Sequence, residues 1–171
     1  GANNVAIGRC AMHVNTTGAD NTSVGFNSLK ASTIGIGNVA IGTYALNANT
    51  TACENTAVGY VALSSNTTGN LNSAFGRGAL QVTTTGSSNV AVGTNALSEN
   101  TTGECNTAIG VCALRVETTG ANNTAAGFKS LSANTTGEAN VAIGACSMLA
   151  NTTATGGVAL GADSLKANTT G

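Results

Sequence analysis

One period of seventeen residues governs the whole sequence. A glycine recurs at that interval ten times without insertion or deletion, and a leucine or methionine follows each glycine four residues later. The glycines are Gly8, Gly25, Gly42, Gly59, Gly76, Gly93, Gly110, Gly127, Gly144 and Gly161. The long apolar residues are Met12, Leu29, Leu46, Leu63, Leu80, Leu97, Leu114, Leu131, Met148 and Leu165. A fixed period of this kind indicates a repeat architecture, in which each copy packs only on its neighbours.

Each copy contains a β-type segment and a turn. Position one of the repeat is asparagine except in the last copy, where Gly157 replaces it; the copies start at residues 4, 21, 38, 55, 72, 89, 106, 123, 140 and 157. Positions one to five are rich in β-branched residues and end at the glycine, which predicts a short strand. Positions six to ten, for example residues 60–64, predict a second short strand. The Asn-Thr-Thr-Gly sequence at residues 66–69 predicts a turn whose glycine has positive φ.

Seventeen residues are too few for two helices but fit one coil of a β-solenoid. We therefore predict an all-β fold in which residues 1–171 form a single array of ten coils, about 4.8 Å apart. Valine and isoleucine at position four and leucine or methionine at position nine are expected to form the core. The asparagines at position one are expected to form a ladder inside one corner. Because the chain starts and stops within the repeat, we expect it to be part of a longer fibre.

The positions of the charged residues suggest contact with other copies of the chain. Charges are absent from positions one to five, so neither face of the first strand carries a solvated charge. One face must meet the core, and we predict that the other, lined by small residues at position three, meets further copies. The expected state is a homotrimer. Its predicted interface comprises Ala40, Ala57, Ala74, Ala91 and Ala108.

Composition argues against several other classes of protein. The formal net charge of -1 argues against binding to nucleic acid, which requires basic patches. The apolar runs are too short to insert into a membrane. The apolar content of 42% argues against a disordered chain.

The Asn-[Thr/Ser/Val]-[Ala/Ser]-[Val/Ile]-Gly segments, as at residues 38–42 and 106–110, resemble the head repeat of trimeric autotransporter adhesins of the YadA type. They are also similar to repeats in fibres of phages and large viruses. The resemblance covers all ten copies. It implies a left-handed parallel β-roll, three chains side by side, and a role in attachment at a cell or virion surface. The host-surface or matrix ligand is not implied.

No catalytic, cofactor-binding or metal-binding constellation is visible. His13 is the single histidine, and the acidic residues are scattered, so no triad or dyad can be built. Of the five cysteines, three share position seven, the nearest two lying two coils apart, or about 9.6 Å, beyond disulfide reach. We therefore expect isolated thiols, with disulfides between chains as the alternative in an extracellular setting. The cysteines are Cys10, Cys53, Cys105, Cys112 and Cys146. The protein is expected not to be an enzyme.

Nine asparagines precede the Ser/Thr of an Asn-x-Ser/Thr sequence. They are Asn15, Asn21, Asn49, Asn66, Asn100, Asn122, Asn134, Asn151 and Asn168. The sequence has two interpretations: it forms the turn, or it carries N-linked glycans on a secreted fibre. The candidate glycosylation sites in the turn are Asn15, Asn49, Asn66, Asn100, Asn134, Asn151 and Asn168.

The leading functional hypothesis is a rigid extracellular fibre, acting as the head or shaft of an adhesin. One alternative is ice binding, because threonine recurs at positions thirteen and fourteen and could form regular ranks. At least one threonine of each pair is expected to point inward or cap the turn. A second alternative is a filament that grows by end-to-end stacking.

Overall fold

The computed structural model describes residues 1–170 as ten stacked coils that share one parallel sheet. The strands are β1 (Val5–Ile7), β2 (Thr22–Val24), β3 (Val39–Ile41), β4 (Thr56–Val58), β5 (Ser73–Phe75), β6 (Val90–Val92), β7 (Thr107–Ile109), β8 (Thr124–Ala126), β9 (Val141–Ile143) and β10 (Val158–Leu160). They are ordered from β1 to β10, and each pairs in register with the next copy of the repeat. The predicted all-β solenoid is confirmed.

Backbone hydrogen bonds join successive coils around their whole circumference. In the fourth coil, the Thr56 N–H donates to the Asn72 carbonyl at 2.8 Å, and the Leu63 N–H donates to the Ala79 carbonyl at 2.9 Å. A further bond leaves the threonine turn, where the Thr67 N–H donates to the next coil. Each coil thus satisfies its buried backbone groups through its neighbours, as a stack of equivalent units requires.

The prediction of a second strand at residues 60–64 is wrong. Val61 and Leu63 have φ values of 51° and 50°, and the equivalent residues of the other coils repeat this left-handed conformation. A left-handed residue bends the chain instead of extending it, and costs roughly 1–2 kcal/mol when it carries a Cβ. Two such residues in one segment turn the chain back toward the start of the next coil, so each coil contains a single strand.

The strand faces the core with position three, not position four. Ala57 is fully buried, whereas Phe75 and Ile109, at position four, are 42% and 47% exposed. The expectation that position four forms the core is therefore wrong. The core role predicted for position nine is confirmed in the inner coils, where Leu63 has no exposed surface. Small residues at positions three and eight and one long side chain at position nine make up the apolar interior.

Asparagine side chains fill the other half of the interior. The Asn55 N–H donates to the Asn38 Oδ1 of the previous coil at 3.0 Å, and the Asn38 Nδ2 donates to the Ala52 carbonyl of its own coil at 2.9 Å. The predicted ladder at position one is confirmed. Each amide joins two coils and also closes its own coil, because the donor and acceptor of one side chain have different partners.

The glycine at position five is required for two reasons. Gly59 has a φ of 140°, and a Cβ on it would lie 2.5 Å from the Gly76 carbonyl oxygen.

The prediction of a positive φ for the glycine of the Asn-Thr-Thr-Gly turn is wrong, since Gly69 does not adopt one. At that position the next coil leaves little space, and a Cβ would lie 2.2 Å from the Gly86 oxygen.

Neighbouring residues of β6 provide a test of which side chains point inward. Ala91→Leu should overfill the core and lower the free energy of unfolding by about 1–3 kcal/mol. Val92→Leu, in the same strand, should change it by no more than about 0.5 kcal/mol, because residue 92 points outward. Chemical denaturation followed by circular dichroism measures both. A larger loss for Val92→Leu would contradict the orientation described above.

Candidate functional site

The most extensive candidate surface is the outward side of the sheet. We define the outer sheet face as the side chains at positions two and four of the ten coils. Ile41 and Val92 are 40% and 38% exposed, and no charged residue occurs at these positions. The side chains form a continuous, mostly apolar strip along the stack. An uncharged strip of this length is typical of a surface that contacts another molecule.

The alanines predicted to form an interface lie elsewhere. All five have no exposed surface and belong to the core of their own chain. They are Ala40, Ala57, Ala74, Ala91 and Ala108. The interface prediction is wrong for these residues because a coil this thin has space inside only for a small side chain at position three. The outward side of the same strands carries their larger neighbours.

The two threonine columns differ in their surroundings. At position thirteen the hydroxyl donates to the backbone of the next coil, as from Thr67 Oγ1 to the Thr84 carbonyl at 3.0 Å. At position fourteen the side chain is exposed, as at Thr68, and Ile34 is the one residue that is not threonine. The expectation that one threonine of each pair would be engaged by the backbone is confirmed. A single rank of free hydroxyl groups therefore faces outward.

The asparagine of the turn lies inside the coil. The Asn66 Nδ2 donates to the Gly69 carbonyl at 2.9 Å, and its Oδ1 accepts the Gly69 N–H at 3.1 Å. The fully buried members of this column are Asn49, Asn66, Asn100, Asn134 and Asn151. A glycan on any of them would break these bonds and enter the core, so burial contradicts the glycosylation prediction at these five residues. Asn15 and Asn168 are half-buried, and glycosylation there stays a prediction.

Reactive side chains do not converge in the described part of the chain. The five cysteines are unpaired, with Cys105 exposed and the others half-buried. His13 is exposed. Residues 1–170 contain no group of three His, Cys, Asp or Glu side chains placed to hold a metal ion. No cleft opens among these residues, and none of them forms a helix that could cross a membrane.

Glu117 is a buried carboxyl group that charge patterning alone does not reveal. It occupies position twelve, where the adjacent coils carry Asn100 and Asn134, and it has no exposed surface. Its Oε2 accepts hydrogen bonds from the Asn123 Nδ2 at 3.2 Å and from the Asn134 Nδ2. Its Oε1 and the Asn100 Oδ1 have no hydrogen-bond partner. A carboxylate lacks the N–H that an asparagine supplies here, and two buried acceptors are therefore left without a donor.

Burial raises the pKa of Glu117 from 4.5 to about 7, and the hydrogen bond from Asn134 opposes this increase. The nearby carboxylate of Glu138 raises the pKa further by repulsion. Protonation would give Glu117 one donor and one acceptor, as an amide has. The neutral acid can therefore donate a hydrogen bond to one of the buried acceptors, which the carboxylate cannot do, so burial favours the neutral form.

Comparison with known proteins adds no relative. No family model, no curated protein and no solved structure matches this chain.

Replacement of Glu117 should remove a pH dependence of stability. Because the folded-state pKa is the higher one, stability is greatest below pH 4.5, falls as the pH rises from 4.5 to about 7, and is constant above that. Glu117→Gln should increase the free energy of unfolding by up to about 3 kcal/mol at pH 8.5 and change it little at pH 4. Urea denaturation at several pH values measures this difference.

Glu104→Gln is the matched control, since Glu104 is exposed. It should leave the pH profile of the protein unchanged. A Glu117→Gln profile parallel to that of the native chain would show that Glu117 does not titrate in this range.

Proposed function

We propose that this chain is a rigid, non-enzymatic structural segment of an extracellular fibre, and that copies of it associate side by side through the outer sheet face. The proposal gives no residue a catalytic role. The observation that supports it most strongly is the outer sheet face itself, a strip without charged residues in which valine, isoleucine and phenylalanine recur from coil to coil.

The backbone ladder supports the mechanical part of the proposal. Ten strands pair in one sheet without interruption, and the turn segments are hydrogen-bonded from coil to coil as well. Bending such a stack would stretch hydrogen bonds on one side of every coil. A rod of this kind holds its ends at a fixed separation, which is the property that a spacer or adhesive shaft requires.

The exposed apolar side chains support association. Ile109 and Ile143 keep 47% and 44% of their surface exposed although their strands, β7 and β9, are paired on both sides. Burial of apolar surface contributes roughly 25 cal/mol per Å², so a strip repeated over ten coils favours a partner with the same repeat. A second copy of the chain has this repeat. The resemblance to trimeric adhesin heads favours three copies and a location at the cell or virion surface.

Ice binding is the second candidate, and the exposed threonine rank at position fourteen is the observation that favours it. The position-thirteen hydroxyls are already bound to the backbone, so one rank is available to order water instead of two. An ice-recrystallisation assay separates the candidates. Inhibition by dilute protein would support ice binding, and its absence would remove this candidate.

Charged residues placed on the outer sheet face should prevent association. Sedimentation of the native chain should show an assembly of a fixed number of copies, and the double variant Ile41→Lys/Ile109→Lys should sediment as a monomer. The reason is that each lysine would have to lose its water in the interface, at a cost of several kcal/mol.

The double variant Thr51→Lys/Thr119→Lys adds the same charges to the same two coils, on the exposed turn. It should retain the native mass. A native chain that is monomeric at all concentrations would rule out association through this face. A mass that grows continuously with concentration would indicate end-to-end filaments instead.

A further inference from the structure

Five side chains form a surface cluster along the first five coils. We define the aromatic–arginine strip as Arg9, Phe26, Tyr44, Tyr60 and Arg77, one from each coil in order. The ring centres of Phe26 and Tyr44 are 5.4 Å apart, and those of Tyr44 and Tyr60 are 6.5 Å apart, both in edge-to-face contact. The Arg9 and Arg77 guanidinium carbons each lie 5.9 Å from a ring centre, over Phe26 and Tyr60 respectively. The rings are therefore flanked at both ends by a cation.

The strip is on the surface and is not needed to fill the core. Phe26 and Tyr60 are 36% and 50% exposed, and both arginines are exposed. The chain has only five aromatic residues, and three of them meet here. Phe26 and Tyr60 are at position six and Tyr44 is at position seven. Other coils form the same fold with small residues there, such as Thr94 and Ala145 at position six and Asn95 and Cys112 at position seven. The rings therefore have no structural role that smaller residues could not perform.

Charges are separated by sign across these five coils. Positions six to ten carry Arg9, Lys30 and Arg77 together with His13, and no acidic residue. The two acids of the same coils, Asp20 and Glu54, lie at position seventeen, beyond the opposite end of the strand. The protein as a whole is slightly acidic, so this edge is a local basic surface that favours an anionic partner.

We propose that the aromatic–arginine strip binds an acidic polysaccharide whose chain runs along the rod axis. Arg9 and Arg77 lie four coils apart, about 19 Å at the spacing of paired strands. Each of the three coils between them carries one aromatic ring of the strip, and two of these rings are tyrosines. Guanidinium groups bind carboxylates through paired hydrogen bonds. The exposed ring surfaces offer apolar contact for the C–H faces of the sugars, and the Tyr44 and Tyr60 hydroxyls can exchange hydrogen bonds with sugar hydroxyls. This inference rests on the proposed function and names the class of molecule to which the fibre attaches.

Single-stranded nucleic acid, another anionic polymer, fits the strip less well. Proteins that bind it stack bases on open ring faces within a groove of positive charge that follows the backbone. Here the described residues form no such groove, and the strip carries only two arginines, on the first and fifth coils. Two widely spaced guanidinium groups match intermittent carboxylates better than a phosphate on every unit.

Binding is tested by calorimetry with a hexamer of galacturonic acid. The methyl ester of the same hexamer retains the sugar rings without their charges, and oligothymidylate is the nucleic-acid probe. The native chain should bind the acid hexamer more tightly than its ester and more tightly than oligothymidylate. The double variant Arg9→Gln/Arg77→Gln should lose about tenfold in affinity for each charge-assisted hydrogen bond removed, and with it the preference for the acid.

A second cation–ring pair supplies the matched control. The Lys129 Nζ lies 5.2 Å from the centre of the Phe128 ring, in the eighth coil and outside the strip. The double variant Phe128→Ala/Lys129→Gln should bind the acid hexamer as the native chain does, whereas Tyr44→Ala/Tyr60→Ala should bind it more weakly. Circular dichroism of each variant reports whether the coils are retained.

Four results would overturn the proposal: no binding of the acid hexamer, equal binding of its ester, tighter binding of oligothymidylate, or an equal loss in the Phe128/Lys129 control. Sedimentation of the same samples keeps the two proposals apart. An assembled chain that does not bind the hexamer would refute only the polysaccharide site. A monomer that binds it would refute only the association through the outer sheet face.

Discussion

The asparagine amide at position one is the interaction on which the rest of the structure depends. Its Oδ1 accepts the backbone N–H of the next coil, and its Nδ2 donates to the carbonyl at position fifteen of its own coil, as the Asn72 amide does toward Asn89 and Gly86. These bonds fix where a coil closes and how it sits on its neighbour. Once both are fixed, equivalent residues lie directly above one another, and each column of side chains has one environment throughout the stack.

That constraint explains which parts of the fold could be predicted. The period, the parallel stacking, the asparagine ladder and the leucine column follow from the repeat, since only stacked coils give every copy the same neighbours. Side-chain size also predicts which side chains of the strand face the core. Position three is limited to alanine and serine, as an interior position requires, whereas position four ranges from Ala126 to Phe75, as an outward position permits. Hydrophobicity alone predicts the core at position four, whereas this limit on size predicts it at position three.

Other features could not be predicted, for identifiable physical reasons. Val61 and Leu63 take left-handed backbone conformations that residues of their type rarely adopt, and the stacking of the coils has to offset the cost. The burial of the turn asparagine was concealed by the polar composition of the turn, because the Asn66 amide is satisfied by hydrogen bonds within its own turn. Glu117 stands in a column otherwise made of Asn, Ser and Thr, but this exception indicates a buried carboxyl group only once the structure shows that the column is buried.

Two surfaces of the rod carry the two proposed roles, association and recognition. The outer sheet face is uncharged along its whole length and is suited to contact with an identical repeat. The aromatic–arginine strip is confined to five coils, as expected of a recognition site placed on a uniform scaffold. The same scaffold also accommodates the buried carboxyl group of Glu117. The repeat therefore tolerates an unfavourable residue in one coil when the neighbouring coils keep the regular stacking.

The equivalence of the stacked coils can be measured directly by double electron–electron resonance between pairs of spin labels. The five cysteines are first replaced by serine, and spin labels are attached at exposed position-fourteen threonines converted to cysteine. At the spacing of paired strands, the label separation should be about 19 Å for Thr51 and Thr119, about 29 Å for Thr51 and Thr153, and about 38 Å for Thr17 and Thr153. A linear increase with the number of intervening coils is the result expected for this structure. Separations that do not increase in this order would contradict it.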